Sequence, residues 1–262
     1  MTALRLRVLH IVPALFGSDG GLTGGAERFA LELARHMADV VPTMLLSFGD
    51  VERSETIGRL SVRVAGRPWY VRGQRSNPLS PAILSEIRRA DVVHCHQQHI
   101  VASTMAALVC RVTGRRVFAS PLGGGGWDLS GYVRTDRWYH GRLHLSEYSR
   151  RIYGSDKGSR VIFGGVDVER FAPPANGVER DTVLFVGRLL PHKGVDVLID
   201  AVTPDMRVEI IGPPVDAGFV CDLRVLAAGK TVTFRHDADD TELIAAFRRA
   251  LCVVLPSVYR TR

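Results

Sequence analysis

The sequence predicts an α/β protein with two parallel-sheet domains, and three observations support this fold class. Apolar runs rich in Val, Ile and Leu alternate with helical patterns along most of the 262 residues, which favours parallel sheets covered on both faces. The length exceeds the usual size of a single domain. Hydrophobic residues make up 46% and charged residues 23%, as in globular proteins that bury a core.

Short apolar runs are predicted as buried strands. They are Leu6–Val12, Met44–Phe48, Val92–Cys95, Val117–Ala119, Val183–Val186, Val208–Ile211 and Val253–Leu255. Two segments have helical periodicity. The first, Glu27–Met37, carries on one face Phe29, Leu33, Ala34 and Met37. The second, Thr241–Leu251, is predicted to be capped by Thr241 and carries on one face Leu243, Ile244, Phe247 and Leu251.

A break in both periodicities separates the two predicted domains. Phe171–Arg180 contains two prolines and an Asn-Gly pair, and a new strand begins directly after it. We therefore predict an N-terminal domain over residues 1–170 and a C-terminal domain over residues 178–262. The second domain ends on a strand followed by Pro256 and Ser257. It lacks a covering helix, so we expect it to be incomplete and the chain to be truncated.

Charge and cysteine content narrow the functional classes. The net charge of +7 fits either a basic surface that attracts anionic partners or a solvated arginine-rich surface. No dense Lys/Arg run is interleaved with aromatics, so we expect no nucleic-acid surface. The four cysteines are far apart, without CxxC spacing, which fits small buried residues in a reducing cytoplasm. The sequence has no long uncharged apolar run and no signal-peptide pattern, so a cytoplasmic location is expected.

The most informative stretch is VLFVGRLLPHKGVDVLIDAV, which begins at Val183. A buried strand here delivers Gly187, Arg188 and, after a short loop, Lys193 to the start of a helix. Ligands of open parallel sheets bind at the carboxyl ends of strands, where these cations could hold a diphosphate. From residue types alone, two solvent-exposed cations in a βα loop explain the pattern equally well.

This stretch resembles the nucleotide-sugar signature of retaining family-4 glycosyltransferases. The resemblance implies a GT-B-like fold, with two Rossmann-like parallel-sheet domains facing a cleft. It also implies that Arg188 and Lys193 contact the donor diphosphate beside Gly187. The donor substrate would be a nucleoside diphosphate sugar. Because the two cations can neutralise the diphosphate, no cofactor and no metal is expected.

A glycine-rich loop precedes the first helix, in GSDGGLTGGAER. Glycine lets backbone approach a ligand closely, although a plain connection fits the composition as well. The segment lacks the Lys-Ser/Thr of a P-loop and the spacing of GxGxxG. Its GGAER part is similar to the first loop of the same glycosyltransferases, which implies that Gly24 and Gly25 face the donor phosphates and the acceptor.

The segment DVVHCHQQH places His94 and His96 at the end of a strand. A metal pair is conceivable, but neither a carboxylate nor a third ligand is evident, so we expect no metal. A structural role for His94 is a fair alternative. The segment resembles the D-V-V-H-x-H strand end of the family, where the second histidine reaches the donor sugar. His96 is therefore the candidate catalytic residue.

Other segments extend the resemblance from about Arg7 to Ser257. LSEYSRRIYG resembles a strand-to-helix segment of the family, and VIFGGVDVERFAP resembles its inter-domain sequence, with Gly164 in place of Asn. The loop Gly123–Gly126 either shapes the acceptor side or is a plain turn. Two glutamates follow the Pro-Ser of the family and contact the donor, and neither is present in LPSVYRTR.

The resemblance implies sugar transfer from the donor to an acceptor, with retention of anomeric configuration. The acceptor would be a sugar, a lipid-linked molecule or another small molecule. The net positive charge is compatible with peripheral association of the protein at the inner face of a membrane. A non-catalytic remnant that binds acceptor or a partner is the alternative. A nicotinamide-dependent oxidoreductase or epimerase is a third hypothesis, but the first loop has the wrong spacing and strand two ends before Asp50.

Overall fold

The computed structural model describes residues 6–15, 24–122, 127–153, 158–174 and 179–258. The chain divides into two compact units, Met1–Gly164 and Gly165–Arg262. Strands alternate with helices in both units, and strand pairing is mainly parallel. The predicted α/β fold class with parallel sheets is confirmed.

The elements of the first unit follow the predicted alternation. Its strands are β1 (Val8–Ile11), β2 (Thr43–Gly49), β3 (Arg53–Ile57), β4 (Leu60–Gly66), β5 (Trp69–Tyr70), β6 (Pro78–Leu79), β7 (Val92–His96), β8 (Arg116–Ser120), β9 (Gly141–His144) and β10 (Arg160–Val161). Its helices are α1 (Gly25–Val40), α2 (Ala82–Ile87), α3 (Val101–Val112) and α4 (Glu147–Ile152).

The main sheet of this unit has the strand order β10-β9-β8-β7-β1-β2-β4-β3 over the described residues. Its strands pair in parallel except for the β3–β4 hairpin, whose turn residue Gly58 has a φ of 60°. β1 lies at the centre, so His10 pairs with Leu45 of β2 and with His94 of β7. This pairing brings the carboxyl ends of β1 and β7 together.

Apolar side chains fill both faces of the first sheet. On one face, Leu9 and Val93 pack with α2 and α3, while on the other Leu45 and Leu60 pack with α1. The fully buried positions of α1 are Ala30, Leu31, Ala34 and Ala38. Of the face predicted from the sequence, Ala34 is in this set, whereas Phe29, Leu33 and Met37 are half-buried. The buried stripe of the helix is thus rotated from the predicted one towards small residues, which let α1 approach the sheet closely.

The second unit has its own, smaller parallel sheet. Its strands are β11 (Thr182–Val186), β12 (Arg207–Ile211), β13 (Val232–Arg235) and β14 (Ala250–Val253). Its helices are α5 (Val195–Asp200), α6 (Ala217–Leu226) and α7 (Asp240–Arg249). The strand order is β13-β12-β11-β14 in the described residues. Leu184 and Phe185 of β11 are buried in the apolar clusters on either side of this sheet.

Two local predictions in the second unit are wrong. The last strand, predicted over Val253–Leu255, is β14, because pairing with β11 aligns Ala250 with Thr182 and Val253 with Leu184. The cap of α7 is Asp239 instead of Thr241. Its carboxylate accepts a hydrogen bond from the Glu242 amide at 2.8 Å, and the Glu242 carboxylate accepts one from the Asp239 amide at 2.9 Å.

The unit boundary lies before the Pro- and Gly-containing break. The structure divides the chain after Gly164, whereas the first domain was predicted to end at residue 170. The intervening segment packs within the second unit. Phe171 contacts the Phe247 ring of α7 edge-on, and Ala172 accepts a hydrogen bond from Arg248. The two prolines therefore mark a bend on the surface of this unit, where their missing amides cost no hydrogen bonds.

The cysteines divide into two classes. Cys95 and Cys110 are buried as expected, and burial raises the pKa of the Cys110 thiol to about 12. Cys221 and Cys252 are exposed, so the expectation of burial is wrong for these two. Among the helices of the described residues, none combines the length and apolar composition that crossing a bilayer requires.

Candidate functional site

At the carboxyl end of β11, the backbones of Gly187 and Gly212 lie in close contact. Gly187 follows the strand, and its amide donates to the carbonyl of Ile211 at 2.9 Å. Gly212 follows β12 with a φ of 153°, and a Cβ there would lie 1.9 Å from the Gly187 carbonyl oxygen. A side chain at Gly212 would therefore clash with the Gly187 backbone, and Arg188 follows directly on the loop that leaves the strand.

Arg188 and Lys193 lie on the loop that leaves this edge. Arg188 is exposed and Lys193 is half-buried. Neither side chain has a carboxylate partner within the described chain, so both cations are available to an anion. This contrasts with Arg235 on β13, whose guanidinium contacts Glu209 and Glu242.

A tight turn fixes the position of Lys193. Pro191–Lys193 forms one 3-10 turn, and Gly194 closes it with a φ of 68°. A Cβ on Gly194 would lie 2.0 Å from the carbonyl oxygen of Pro256. The Val258 amide also donates to the His192 carbonyl at 3.0 Å. The chain after β14 therefore packs directly against the turn that carries Lys193.

Gly24 and Gly25 lie at the start of α1. Gly24 has an extended backbone, and a Cβ on it would lie 2.9 Å from the carboxylate of Glu27. A Cβ on Gly25 would meet nothing within 4 Å, so there is open space before this residue. Glu27 lies in the first turn of the helix and opposes binding of an anion there. Gly20 and Gly21, like the loop Gly123–Gly126, fall outside the described residues.

His96 belongs to a cluster of three buried histidines. His10, His94 and His96 have exposed fractions of 0%, 5% and 2%. A hydrogen bond of 2.8 Å joins Nδ1 of His10 to Nε2 of His96, while Nε2 of His94 contacts the Ser120 hydroxyl at 2.8 Å. Nε2 of His10 lies 3.4 Å from the sulfur of Met37 on α1.

The environment of this cluster keeps the rings neutral. Burial lowers the pKa of His94 to about 4. Burial, together with repulsion from His94, lowers the pKa of His10 well below its ordinary value. Burial also lowers the pKa of His96 well below its ordinary value, together with repulsion from His94 and His10. Each ring therefore has one N–H donor and one bare acceptor nitrogen near neutral pH.

His96 is as inaccessible as His94, although the resemblance implies that it reaches the donor sugar. The ring of Phe29 on α1 lies edge-on to the His96 ring, with centroids 6.4 Å apart. α1 therefore links Gly24 and Gly25, at its start, to the end of β7. The backbone turns sharply after His96, since Gln97 has a φ of 137°, an unusual value for a residue other than glycine.

The histidine cluster supplies the third ligand that sequence reasoning did not find. One nitrogen from each ring lies within 4.8 Å of the others, so the residue types suit a transition metal. The spacing suits a hydrogen bond better. Two nitrogens on a tetrahedral zinc ion lie about 3.3 Å apart, whereas His10 and His96 are 2.8 Å apart. The geometry thus favours a hydrogen-bonded cluster.

The second unit matches a known protein family. Residues 168–260 match the sequence profile described as Glycosyl transferases group 1, a range that covers nearly all of the unit. The second unit is thus similar in sequence to the group 1 glycosyltransferases. This family favours the glycosyltransferase hypothesis over a nicotinamide-dependent enzyme.

The chain is also similar to two curated relatives, over more than the second unit. One is a GDP-mannose:cellobiosyl-diphosphopolyprenol alpha-mannosyltransferase of Xanthomonas oryzae pv. oryzae, 28% identical over 72% of this chain and 54% of the relative. The other has the same name, comes from Xanthomonas campestris, and is 26% identical over 95% of this chain and 70% of the relative. The chain thus spans 54% of the length of the first relative and 70% of the length of the second.

A solved structure shows the fold of the whole chain. The crystal structure of Anabaena HepE in complex with UDP and glucose aligns with a TM-score of 0.71, at 17% identity, over 96% of this chain and 74% of that chain. The chain has the GT-B fold, as the sequence predicted. Likeness at this level of identity establishes the fold and not the substrate.

The structure groups the predicted site residues by unit. Gly187, Arg188 and Lys193 surround the end of β11 in the second unit, as expected from their spacing. In the first unit, His96 is the last residue of β7, and Phe29 of α1 links it to the helix that begins at Gly24 and Gly25. His10 was missed because it is 86 residues from His96 in sequence. The only signal for it was a polar residue inside the apolar run of β1.

Proposed function

We propose that the protein transfers a sugar from a nucleoside diphosphate sugar to an acceptor. The observation that carries this proposal is the pair of unpaired cations, Arg188 and Lys193, at the carboxyl end of β11 in the unit that is similar to group 1 glycosyltransferases. In a parallel sheet this edge is where ligands bind. The close contact between the Gly212 and Gly187 backbones fixes the start of the loop that carries the two cations.

The two cations have complementary roles in this proposal. The planar guanidinium of Arg188 binds two oxygens of one phosphate, while the ammonium of Lys193 supplies a compact charge. Both interactions strengthen as negative charge builds on the departing nucleoside diphosphate, which lowers the barrier to transfer. Since two positive charges serve this purpose, the proposed reaction uses no metal ion. We further propose that it retains the anomeric configuration, as the family-4 resemblance implies.

In the first unit, His96 is proposed to contact the donor sugar, with the backbone of Gly24 and Gly25 nearby. A neutral imidazole suits this role because sugar hydroxyls both donate and accept hydrogen bonds. Its exposed fraction of 2% means that the ring becomes reachable only when covering side chains move. Phe29 is one such side chain, since its ring lies against His96.

The curated relatives direct the choice of substrates to test. Their names specify GDP-mannose as donor and a diphosphopolyprenol-linked sugar as acceptor. We propose the same classes for this protein, namely a GDP-sugar and a lipid-linked acceptor. The net charge of +7 suits an acceptor that lies in an anionic membrane surface.

Binding of the nucleotide can be tested on the 262-residue chain. We expect isothermal titration calorimetry to show binding of GDP and GDP-mannose, with affinity reduced roughly tenfold or more in Arg188→Ala and Lys193→Ala, because each removes a charged hydrogen bond to phosphate. Arg180→Ala is the matched control, since this exposed arginine precedes β11 at the opposite end of the strand. An equal loss in all three variants would contradict the assigned site.

A second candidate function is binding without transfer. It is favoured by the burial of His96, the candidate catalytic residue, whose exposed fraction is 2%. Radiolabelled GDP-mannose incubated with the chain and a polyprenyl-diphosphate disaccharide distinguishes the two. Label in the lipid fraction supports transfer, whereas nucleotide binding with no labelled lipid supports the binding function.

A further inference from the structure

The hydrogen bonds of the histidine cluster determine which nitrogen of His96 carries the proton. We propose that His10 is a positioning residue that holds His96 in the Nε2–H tautomer, so that Nδ1 of His96 is a bare acceptor for a substrate hydroxyl. The use of this acceptor by the donor sugar rests on the function proposed above. The tautomer itself rests only on contacts within the first unit.

The contact with Met37 determines the tautomer of His10. A thioether sulfur accepts a hydrogen bond weakly and cannot donate one. The contact of 3.4 Å between this sulfur and Nε2 of His10 is therefore favourable only when His10 carries its proton on Nε2. A neutral ring has one N–H, so Nδ1 of His10 is then an acceptor.

The tautomer of His96 follows from that of His10. Nδ1 of His10 lies 2.8 Å from Nε2 of His96, and a hydrogen bond at this distance needs one donor and one acceptor. Because His10 accepts here, His96 must donate through Nε2–H. Nδ1 of His96 is then unprotonated, and it has no hydrogen-bond partner among the described residues.

The reverse assignment is less stable in two places. If His10 donated from Nδ1, its Nε2 lone pair would face the lone pairs of the Met37 sulfur. His96 would also carry a buried N–H on Nδ1 with no acceptor, and an unsatisfied buried donor is unfavourable. The assigned arrangement leaves one unpaired acceptor nitrogen and no unpaired donor.

The consequence is a chemical preference at His96. A bare Nδ1 accepts a hydrogen bond from an O–H group, and it repels the oxygens of a phosphate. The site therefore selects a ligand that presents a hydroxyl, such as a sugar. Strand pairing makes this arrangement rigid, since β1 and β7 pair in parallel with His10 opposite His94.

Nitrogen NMR tests the tautomer without any assay of activity. In the 15N-labelled chain at neutral pH, we expect His96 to be protonated on Nε2. We also expect a scalar coupling across the hydrogen bond between Nε2 of His96 and Nδ1 of His10. Protonation of His96 on Nδ1, or no coupling between these two nitrogens, would overturn the proposal.

Two variants separate positioning from a general loss of packing. Met37→Leu conserves volume and removes the sulfur, so both tautomers of the pair should become populated and the ring nitrogens should give averaged shifts. An unchanged spectrum in this variant would show that Met37 does not determine the tautomer of His10, and it would contradict the assigned positioning. His10→Asn keeps an oxygen acceptor near the position of Nδ1 and should leave His96 protonated on Nε2. His10→Leu removes the acceptor, so the proton of His96 should no longer be held on Nε2.

Activity supplies the second readout. We expect His10→Leu to lower kcat/KM for the donor roughly tenfold to hundredfold, His10→Asn to restore most of it, and the Kd for GDP to stay unchanged in both. Equal losses in the two variants would show a merely structural role. If the wild type transfers no sugar, the proposed function fails, while the NMR result still decides the tautomer.

A metal centre is the competing explanation of the cluster. Addition of one equivalent of Zn2+ to the wild-type chain should leave the histidine spectrum unchanged. If the coupling disappears and one zinc ion is retained per chain after dialysis, these rings are metal ligands and the positioning role is wrong.

Discussion

Three neutral histidines packed together at the end of β7 make the stability of the first unit depend on pH. Burial lowers the pKa of His94 to about 4, whereas the unfolded chain titrates near the ordinary value. Below about pH 6.5 the unfolded state therefore binds more protons than the folded state. The stability contributed by the neutral ring is present at pH 7 and is lost as the pH falls towards 4.

We predict that acidification from pH 7 to pH 5 lowers the free energy of unfolding of the first unit by about 2 kcal/mol through His94 alone. His94→Gln should reduce this slope, because an amide does not titrate. Urea unfolding at several pH values measures how the free energy of unfolding depends on pH. His36→Gln is the control, since this histidine is exposed on α1 and should leave the slope unchanged. Equal slopes in the wild type and His94→Gln would contradict the prediction.

The site residues differ in how far sequence could identify them. Arg188 and Lys193 closely follow the apolar run of β11, so their place at the end of that strand could be predicted locally. Their contact with a diphosphate stays a prediction that comes from the family resemblance. His10 becomes a partner of His96 only because β1 pairs with β7 across the centre of the sheet. A contact created by the order of strands is invisible to local periodicity. For the same reason the burial of His96 could not be predicted.

Gly194 offers a second test at the residue scale. We predict that Gly194→Ala lowers the free energy of unfolding of the second unit by about 3 kcal/mol or more, because strain from the left-handed φ adds to a clash with the Pro256 carbonyl. Gly229→Ala separates these causes. Gly229 has a φ of 76° and open space around it, so this variant should lose only about 1 kcal/mol. Similar losses in both variants would show that the segment after β14 does not press on this turn.

At the scale of elements, burial decided which strands the sequence could predict. The central strands β1, β2, β7, β8, β11 and β12 were found from their apolar runs because they are buried on both faces. β3 escaped detection, since its residues RSETI lie at the edge of the sheet and four of them are exposed. The predicted bounds of β14 were too far along the chain, because helix α7 leads directly into the strand without a loop. No turn residue therefore marks where the strand begins.

The start of α7 gives a prediction at the same scale. Asp239→Ala removes the carboxylate that accepts a hydrogen bond from the Glu242 amide. Of the two hydrogen bonds at the helix start, only the one from the Asp239 amide to the Glu242 carboxylate can then form. We expect the second unit to lose about 1 kcal/mol of stability, measured by chemical denaturation. Asp237→Ala is matched in charge and lies on the exposed loop before the cap. A loss of the same size in the control would attribute the effect to charge instead of capping.

At the scale of the whole molecule, each unit buries its own core. The apolar clusters of the first unit draw on residues up to Tyr139, and those of the second draw on residues from Val183 onwards. All three tryptophans of the chain, Trp69, Trp127 and Trp138, belong to the first unit. Tryptophan fluorescence therefore reports unfolding of the first unit, whereas far-ultraviolet circular dichroism reports both units.

This distribution allows the location of nucleotide binding to be tested on the intact chain. If GDP binds at Arg188 and Lys193, a ligand concentration of 100 times Kd should stabilise the second unit by about 2.7 kcal/mol. In urea, the dichroism transition of the second unit should move to higher denaturant while the fluorescence midpoint stays in place. Lys193→Ala should abolish the movement, and Arg180→Ala should preserve it. A fluorescence midpoint that shifts together with the dichroism would mean that the units unfold as one or that the first unit also holds the nucleotide. Hydrogen exchange of the folded chain, measured with and without GDP at β11 and at β7, distinguishes these two outcomes. Only direct binding to the first unit slows the exchange of β7 amides that occurs through local opening, without global unfolding.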